Sequence, residues 1–284
     1  MKLLEFAPPP VSPAAEALRQ EVRDFLAAEL TPDMRRDKTG TLGGVNPEFS
    51  RKMGRRGWLG MTWPKRYGGH ERSALERYVV LEEMLAAGAP INAHYIADRQ
   101  SGPLILRFGT EAQRQAILPR IAAGECYICI GMSEPTAGSD LASVRTRATE
   151  TPEGFRVNGR KVWTSYVQHS HYILLLCRTG PAEESNRGAG LSQFLVDPKT
   201  PGITVTPIHN LSGEHHFNEV LFDDVLLPRD ALIGELHNGW QQLSNELALE
   251  RSGPDRFLAA FKLLLEAVRA VGATPSERAA IELG

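Results

Sequence analysis

The stretch that decides the fold is Ile130–Ser143, which reads IGMSEPTAGSDLAS. It overlaps an apolar run from Tyr127 to Met132, and such a run is typical of a buried strand. Pro135 ends the run, because proline has no N–H group to donate within a sheet. The small and polar residues at 136–139 allow the backbone to approach a ligand closely and to turn its N–H groups outward. The stretch therefore predicts either an ordinary exit from a strand or a cradle for a flat polar ring or a phosphate.

A second stretch, Asn158–Ser165, reads NGRKVWTS and begins about twenty residues further on. Together the two stretches resemble the flavin-binding segments of the acyl-CoA dehydrogenase family, which follow the approximate patterns T-E-P-x-A-G-S-D and N-G-x-K-x-W-I-T/S. Here they read S-E-P-T-A-G-S-D and N-G-R-K-V-W-T-S. Two long motifs in the right order and spacing make the match specific. The resemblance extends from about residue 14 to about residue 271.

The resemblance implies an FAD cofactor and an acyl-CoA substrate. It also implies an electron-transfer flavoprotein, or a similar acceptor, as partner. It assigns a set of residues to the flavin ring: Met132, Ser133, Trp163, Thr164 and Ser165. In relatives, the positions of Gly138 and Ser139 approach the flavin pyrophosphate or the substrate, so Ser139 is also a candidate substrate residue.

Composition sets limits on the class of protein. The chain has 284 residues, 42% of them hydrophobic and 23% charged, as in a typical globular protein. A formal net charge of -2 argues against a nucleic-acid groove. No apolar run reaches the roughly 20 residues that span a bilayer, and the first residues lack the features of a signal or transit peptide. Three cysteines in a chain of this size favour reduced thiols and a cytoplasmic location.

Two other clusters invite a metal-site interpretation, and neither supports it. Cys126 and Cys129 lie in an apolar strand pattern without a second cysteine pair, so they are expected to be buried small hydrophobes. His215 and His216 are adjacent, and neighbouring residues on a strand point to opposite faces. No metal site is expected.

The periodicity of the chain predicts an α+β fold. Apolar residues recur at helical spacing up to about residue 125, beginning with a helix that opens at Ser12-Pro13. From Cys126 the period becomes two, and Asn158-Gly159 predicts the turn of a β-hairpin. Several short strands indicate a small barrel or sandwich, and the family places a β-barrel there. The predicted domains are an N-terminal helical domain (1–125), a β-barrel domain (126–236) and the start of a C-terminal helical domain (237–284).

A final helix is predicted from Asn238-Gly239, with Trp240, Leu243, Leu247 and Glu250 on one face. A carboxylate held among apolar side chains is suited to accept a proton near neutral pH. The alternative is that Glu250 lies at the edge of the stripe and pairs with an arginine such as Arg251 or Arg256. Pro254 clashes with the carbonyl four residues before it, so a kink is expected at Glu250.

The family resemblance extends to this helix. Some acyl-CoA dehydrogenases carry the catalytic base on this helix in an L-E-R-x-x-x-x-G-P-like context, and others use a glutamate in a later helix. The stretch Ala248–Pro254 resembles the first kind, which makes Glu250 the candidate base. Arg251 occupies a position that contacts coenzyme A in relatives. The family continues with a C-terminal helical bundle that builds a tetramer, whereas this sequence ends at Gly284, after little more than the first helix of that bundle. A truncated chain, an incomplete reading frame or a split subunit would each give this ending, and a homo- or hetero-oligomer is expected.

Three functions follow from these features. In an acyl-CoA dehydrogenase of fatty-acid β-oxidation type, Glu250 would remove the α-proton of the thioester while the β-hydrogen leaves as hydride to flavin N5. An acyl-CoA oxidase on the same scaffold would differ in how oxygen reaches the reduced flavin. A non-catalytic subunit that binds flavin or acyl-CoA and needs a partner is the third, because fold does not fix function.

Overall fold

The structure is a computed structural model that describes residues 11–36, 44–183, 186–251, 253–258, 260–274 and 276–283. The chain forms two compact units. One comprises Met1–Gly43, Arg72–Ala89 and Pro254–Gly284, and the other comprises Gly44–Glu71 and Pro90–Gly253. Within the described ranges, no helix has both the length and the apolar character needed to cross a membrane.

Helices dominate both ends of the chain. They are α1 (Pro13–Glu29), α2 (Pro32–Arg36), α3 (Pro47–Arg55), α4 (Ala74–Ala86), α5 (Asn92–Ile96), α6 (Gly102–Phe108), α7 (Glu111–Ala122), α8 (Gly239–Arg251), α9 (Asp255–Leu258), α10 (Phe261–Val271) and α11 (Glu277–Leu283). A single π-helical turn, Ala97–Ser101, joins α5 to α6.

The first unit is helical, as the periodicity predicts. Helix α1 begins where expected, because the Ser12 hydroxyl accepts a hydrogen bond from Ala15 N at 3.2 Å and proline occupies the first turn. It packs against α4. Arg19 on α1 joins the two helices through ion pairs with Glu82 at 2.5 Å and Glu83 at 2.6 Å.

The second unit contains a mixed β-sheet. Its strands are β1 (Ile128–Gly131), β2 (Arg147–Thr151), β3 (Gly154–Ser165), β4 (Tyr172–Arg178), β5 (Leu191–Val196), β6 (Ile203–His209), β7 (His215–Leu227) and β8 (Leu232–Ile233). The strand order is β6-β7-β3-β2-β4-β5-β8, and β1 pairs with β4 in parallel. Alternate side chains of β3, β4, β5 and β7 form one buried core. All three cysteines are buried, as expected of small hydrophobes.

The α+β class is confirmed, but the prediction of a closed β-barrel was wrong, because the sheet is open. Strands β6 and β8 lie at opposite ends of the strand order. Closure of a barrel requires the two end strands to pair along a shared length. Strand β8 has only two residues, and both are paired with Gln193 and Phe194 of β5. The alternation of apolar residues in the sequence predicts that strands form. It does not predict that β8, the strand needed to close a barrel, has only two residues.

The predicted hairpin turn at Asn158-Gly159 was also wrong, because both residues lie inside β3. The turn is at 152–153, where β2 and β3 pair with Thr151 opposite Gly154. Gly159 sits at a break in the register between β3 and β7 and has φ +152°. A Cβ atom there would lie 2.6 Å from Thr146 Cα. Glycine is therefore required by an irregular strand and a close approach of two backbones.

Candidate active site

The first motif forms a tight turn directly after β1. Glu134 N donates to Ala137 O at 2.8 Å, and Ala137 N donates to Glu134 O at 3.1 Å. Pro135 fits the second position of this turn because its φ is fixed near the required value. Met132 is buried, Ser133 is half-buried, and Gly138 and Ser139 are exposed. Ser133, Gly138 and Ser139, which flank the turn, are therefore accessible, while Met132 is packed in the core.

A buried ion pair joins the two motifs. Lys161 Nζ of β3 donates to Glu134 Oε1 at 2.9 Å and to Met132 O at 2.9 Å. The same carboxylate accepts hydrogen bonds from Arg145 N at 2.7 Å and Thr146 N at 2.8 Å. Burial alone would raise the pKa of Glu134, but the Lys161 ammonium and these amides outweigh it and lower the pKa. Burial lowers the pKa of Lys161, whose ammonium keeps Glu134 as its counter-charge, and the pair fixes the turn against β3.

The second motif is strained where it reaches the surface. The pairing of β3 with β7 is irregular between Lys161 and Thr164. Trp163 has φ +61° and Tyr166 has φ +54°, both in the left-handed region that bulky residues rarely adopt. The Trp163 side chain is 58% exposed. Such strain persists only where the surroundings enforce it, and it concentrates at functional sites.

These residues fit a flat ring cofactor. Val162 N donates to Ser133 O at 2.9 Å, which places the two motifs side by side. The Trp163 ring packs against the Phe217 ring in a T-shaped arrangement, at a centroid distance of 5.7 Å and an interplanar angle of 90°. Thr164 is buried, and its hydroxyl oxygen has no hydrogen-bond partner among the described residues. A half-exposed indole beside polar groups is suited to contact a ring that carries hydrogen-bonding atoms.

Helix α8 packs directly on the first motif. Leu243 belongs to one buried cluster with Met132 and Ala137, and Leu247 packs against that cluster. The predicted apolar face of α8 is therefore present at these two positions, whereas Trp240 is exposed. Glu250 follows Leu243 by two helical turns.

Glu250 is half-buried and Arg251 is exposed, and both lie in the last turn of α8. The prediction of a kink at Glu250 was wrong, because α8 ends at Arg251 and a separate helix begins at Asp255. Pro254 lies between the two helices and cannot supply the N–H that would continue α8. The helix end leaves carbonyl groups without partners inside the helix.

Arg99 provides partners for those carbonyls. The Arg99 side chain is buried, and its guanidinium donates to Leu249 O at 2.9 Å, to Glu250 O, and to Tyr95 Oη at 2.5 Å. The candidate base is thus held through its backbone by the π-helical turn at 97–101. Sequence reasoning missed Arg99, because 150 residues separate it from Leu249 and no motif links them.

Glu246 is the most buried carboxylate of α8, with 1% of its surface exposed. Its Oε2 atom accepts a hydrogen bond from Gln193 Nε2 of β5 at 3.0 Å. Burial raises the pKa of Glu246 to about 8, and the charge of Glu250 adds to the rise. Sequence reasoning missed Glu246, although it lies three residues after Leu243 and four before Glu250 on the same side of α8. Its spacing of four from Glu250 was the available signal.

Comparisons with known proteins identify the family. Residues 12–125 match the family model described as acyl-CoA dehydrogenase, N-terminal domain, and residues 129–225 match the acyl-CoA dehydrogenase, middle domain. The chain is 37% identical to acyl-CoA dehydrogenase FadE26 of Mycobacterium tuberculosis, over 84% of this chain and 61% of that protein. It therefore spans about three fifths of that relative's length.

Two solved structures are similar throughout. The ChsE4-ChsE5 complex from Mycobacterium tuberculosis has a TM-score of 0.81 and 35% identity, with 95% of this chain and 69% of that chain covered. A glutaryl-CoA dehydrogenase from Mycobacterium smegmatis in complex with FADH2 has a TM-score of 0.71 and 26% identity, with 90% and 63% covered. Fold, motifs and relatives agree, and the chain belongs to the acyl-CoA dehydrogenase family.

Proposed function

We propose that this protein carries out FAD-dependent α,β-dehydrogenation of an acyl-CoA thioester. The observation that supports this most is the shared buried cluster of Met132, Ala137 and Leu243, with Leu247 packed on it. It joins the candidate flavin motif to the helix that carries the candidate base. Proximity and orientation of a base to its substrate contribute a large part of enzymatic rate enhancement.

The residues proposed to hold FAD are those of the two motifs. Met132, Ser133, Trp163, Thr164 and Ser165 would contact the ring, and Gly138 and Ser139 would approach the pyrophosphate or the thioester. When bound, FAD supplies the electron sink that accepts the β-hydrogen as hydride. The unpartnered Thr164 hydroxyl and the exposed Trp163 indole support this placement.

Glu250 is the proposed base. Its carboxylate would accept the α-proton of the thioester, while Arg251 at the exposed end of α8 would contact the coenzyme A moiety. Arg99 holds the backbone of Glu250 by its carbonyl, so the carboxylate extends from a fixed point. General-base catalysis requires this fixed geometry as well as a suitable pKa.

The proposed partners are an acyl-CoA substrate, an electron-transfer flavoprotein or similar acceptor, and further subunits of a homo- or hetero-oligomer. One similar structure is itself a complex of two different subunits, ChsE4 and ChsE5. A cytoplasmic location is proposed from the three free cysteines, since thiols stay reduced in that compartment.

The test is Glu250→Gln in flavin-loaded protein, followed by anaerobic stopped-flow reduction with an acyl-CoA. Glutamine keeps the size of the side chain but cannot accept the proton. We expect flavin binding to be unchanged and flavin reduction to fall at least about 10²-fold. Glu235→Gln, at an exposed carboxylate, is the matched control.

Three outcomes separate the alternatives. Near-normal reduction in Glu250→Gln, with a lower melting temperature, would assign Glu250 to a structural ion pair. No reduction of the unmodified protein by any acyl-CoA would favour a non-catalytic subunit. Rapid reoxidation of the reduced flavin by air would identify an oxidase.

A further inference from the structure

The end of β3 carries the proposed flavin contacts on an irregular backbone. The pairing of β3 with β7 shifts register between Lys161 and Thr164, and at such a break the ladder of backbone hydrogen bonds is locally disrupted. Trp163 and Tyr166 both lie in the left-handed region, which is unfavourable for residues with a side chain. The conformation of this segment therefore depends on bonds from other groups.

Asn218 of β7 supplies such a bond. It lies directly opposite Thr164 in the sheet, and both residues are buried. The Asn218 Nδ2 atom donates to Thr164 O at 3.1 Å and to Gln168 Oε1 at 2.8 Å. Its Oδ1 atom lies 2.6 Å from His215 Nε2. Both hydrogens of the amide nitrogen and the amide oxygen therefore have partners.

Two backbone carbonyls fix the direction of every bond in this group. Gln168 Nε2 lies 3.1 Å from His215 O, and a carbonyl oxygen can only accept, so the glutamine nitrogen faces it. Gln168 Oε1 then faces the Asn218 nitrogen, which also donates to the Thr164 carbonyl. The Asn218 oxygen is left to accept, so His215 carries a hydrogen on Nε2. Each member has a partner, and a fully satisfied buried network is rigid.

We propose that Asn218 is a positioning residue for the flavin and that it acts by holding the Thr164 carbonyl. The inference rests on the proposed function and adds to it a residue outside both motifs. Trp163 and Ser165 lie on either side of Thr164 and are proposed to contact the ring, so the orientation of the Thr164 peptide group governs the direction of both. A preorganised site binds its ligand more tightly, because less order has to be gained on binding. His215 acts one step further away, since it holds the Asn218 amide.

The experiment measures FAD affinity by fluorescence titration, the visible absorption spectrum of the bound flavin, and thermal unfolding of the protein without FAD. In Asn218→Ala the Thr164 carbonyl stays buried without this donor. We expect FAD to bind at least about tenfold more weakly, within the range for one unsatisfied buried group. The visible band of the flavin that remains bound should shift, because the residues beside the ring are no longer held in place.

Asn158→Ala is the matched control. Asn158 Oδ1 accepts a hydrogen bond from Asp224 N at 2.9 Å, so this asparagine also joins β3 to β7, but at the register break near Gly159. We expect this variant to lose thermal stability while it keeps the FAD affinity and the flavin band of the unmodified protein. Unchanged affinity and an unchanged band in Asn218→Ala would overturn the inference, whatever happens to its stability. Equal losses of affinity in the two variants would also overturn it.

If Asn218→Ala does not fold, His215→Leu decides the matter. His215 is half-buried, and loss of its N–H group leaves the Asn218 amide without the bond that orients it. We expect FAD affinity to fall about threefold, the contribution of one net hydrogen bond. His209→Leu is the control, because the His209 ring lies 5.6 Å from the His215 ring and outside this network. Equal FAD affinity in these two variants would contradict the inference.

The same measurements separate this inference from the proposed function. An unmodified protein that takes up no FAD would overturn the flavin assignment and this inference with it. FAD that binds but is reduced by no acyl-CoA would overturn the proposed dehydrogenation alone, since the role of Asn218 is measured by binding and by the spectrum.

Discussion

Lys161 Nζ and Glu134 Oε1 lie 2.9 Å apart, although 27 residues separate them in the chain. The glutamate is the second letter of the first motif and the lysine is the fourth letter of the second. Both side chains are buried, so neither is free to contact a ligand. Glu134 and Lys161 therefore connect the two motifs to each other. Any contact with a flavin is left to the residues beside them in the motifs.

Removal of this lysine should destabilise the protein strongly. In Lys161→Met the Glu134 carboxylate stays buried without its counter-charge, and we expect the free energy of unfolding to fall by about 3–5 kcal/mol. Urea unfolding followed by circular dichroism gives the value. Lys199→Met, at an exposed lysine, is the control and should change it by less than about 0.5 kcal/mol. Equal effects of the two substitutions would contradict a structural role for the pair.

Substitution by alanine should lower the stability of the protein at Gly159 but leave it unchanged at Gly138. At Gly159 the new Cβ would lie 2.5 Å from the Thr146 hydroxyl oxygen, and φ is +152°. Gly159→Ala should therefore cost about 1–3 kcal/mol of stability. At Gly138 nothing lies within 4 Å of the new atom, so Gly138→Ala should be neutral within about 0.5 kcal/mol. Any loss of FAD affinity in folded Gly138→Ala, measured by fluorescence titration, would then report a ligand contact. Equal losses of stability at both positions would contradict the distinction between a crowded Gly159 and an open Gly138.

Glu246 should make the protein less stable as pH rises. Its pKa is about 8 in the folded protein, against a usual value of 4.5. Between these values the folded state holds one proton more than the unfolded state, so the free energy of unfolding decreases with rising pH, by up to about 1.4 kcal/mol per pH unit. Glu246→Gln removes the titrating group and should flatten the decline between about pH 6 and about pH 8 in urea titrations. Glu235→Gln should keep the decline of the unmodified protein, and a parallel decline in Glu246→Gln would show that another group is responsible.

Helix α10 should cause the chain to associate. Phe261, Leu264, Leu265 and Val268 are all exposed and follow helical spacing, so they form one apolar stripe. A double substitution, Leu264→Glu with Val268→Glu, should reduce the weight-average mass seen by sedimentation velocity. Leu211→Glu is the control, because Leu211 is fully exposed and lies in a different unit. A monomeric unmodified chain would disprove this expectation.

The sequence revealed those features that depend on local pattern. The Ser12 cap of α1, the α+β class and the apolar residues Leu243 and Leu247 of α8 all follow from residue type and spacing. Gly159 was misread because a glycine with positive φ serves a tight turn and a strand irregularity equally well. Arg99 and Glu246 could not be assigned, since their roles depend on partners from distant parts of the chain, Leu249 for the first and Gln193 for the second.

The open sheet has a consequence for solubility. The strand at the end of a sheet can offer unpaired backbone groups to another chain, which is a common route to aggregation. Here one edge is β8, too short to template another chain. The other is β6, which contains Pro207, a residue without an N–H group to offer an added strand. The two ends of the main strand order are thus each unsuited to adding a foreign strand, one because it is short and the other because it contains proline.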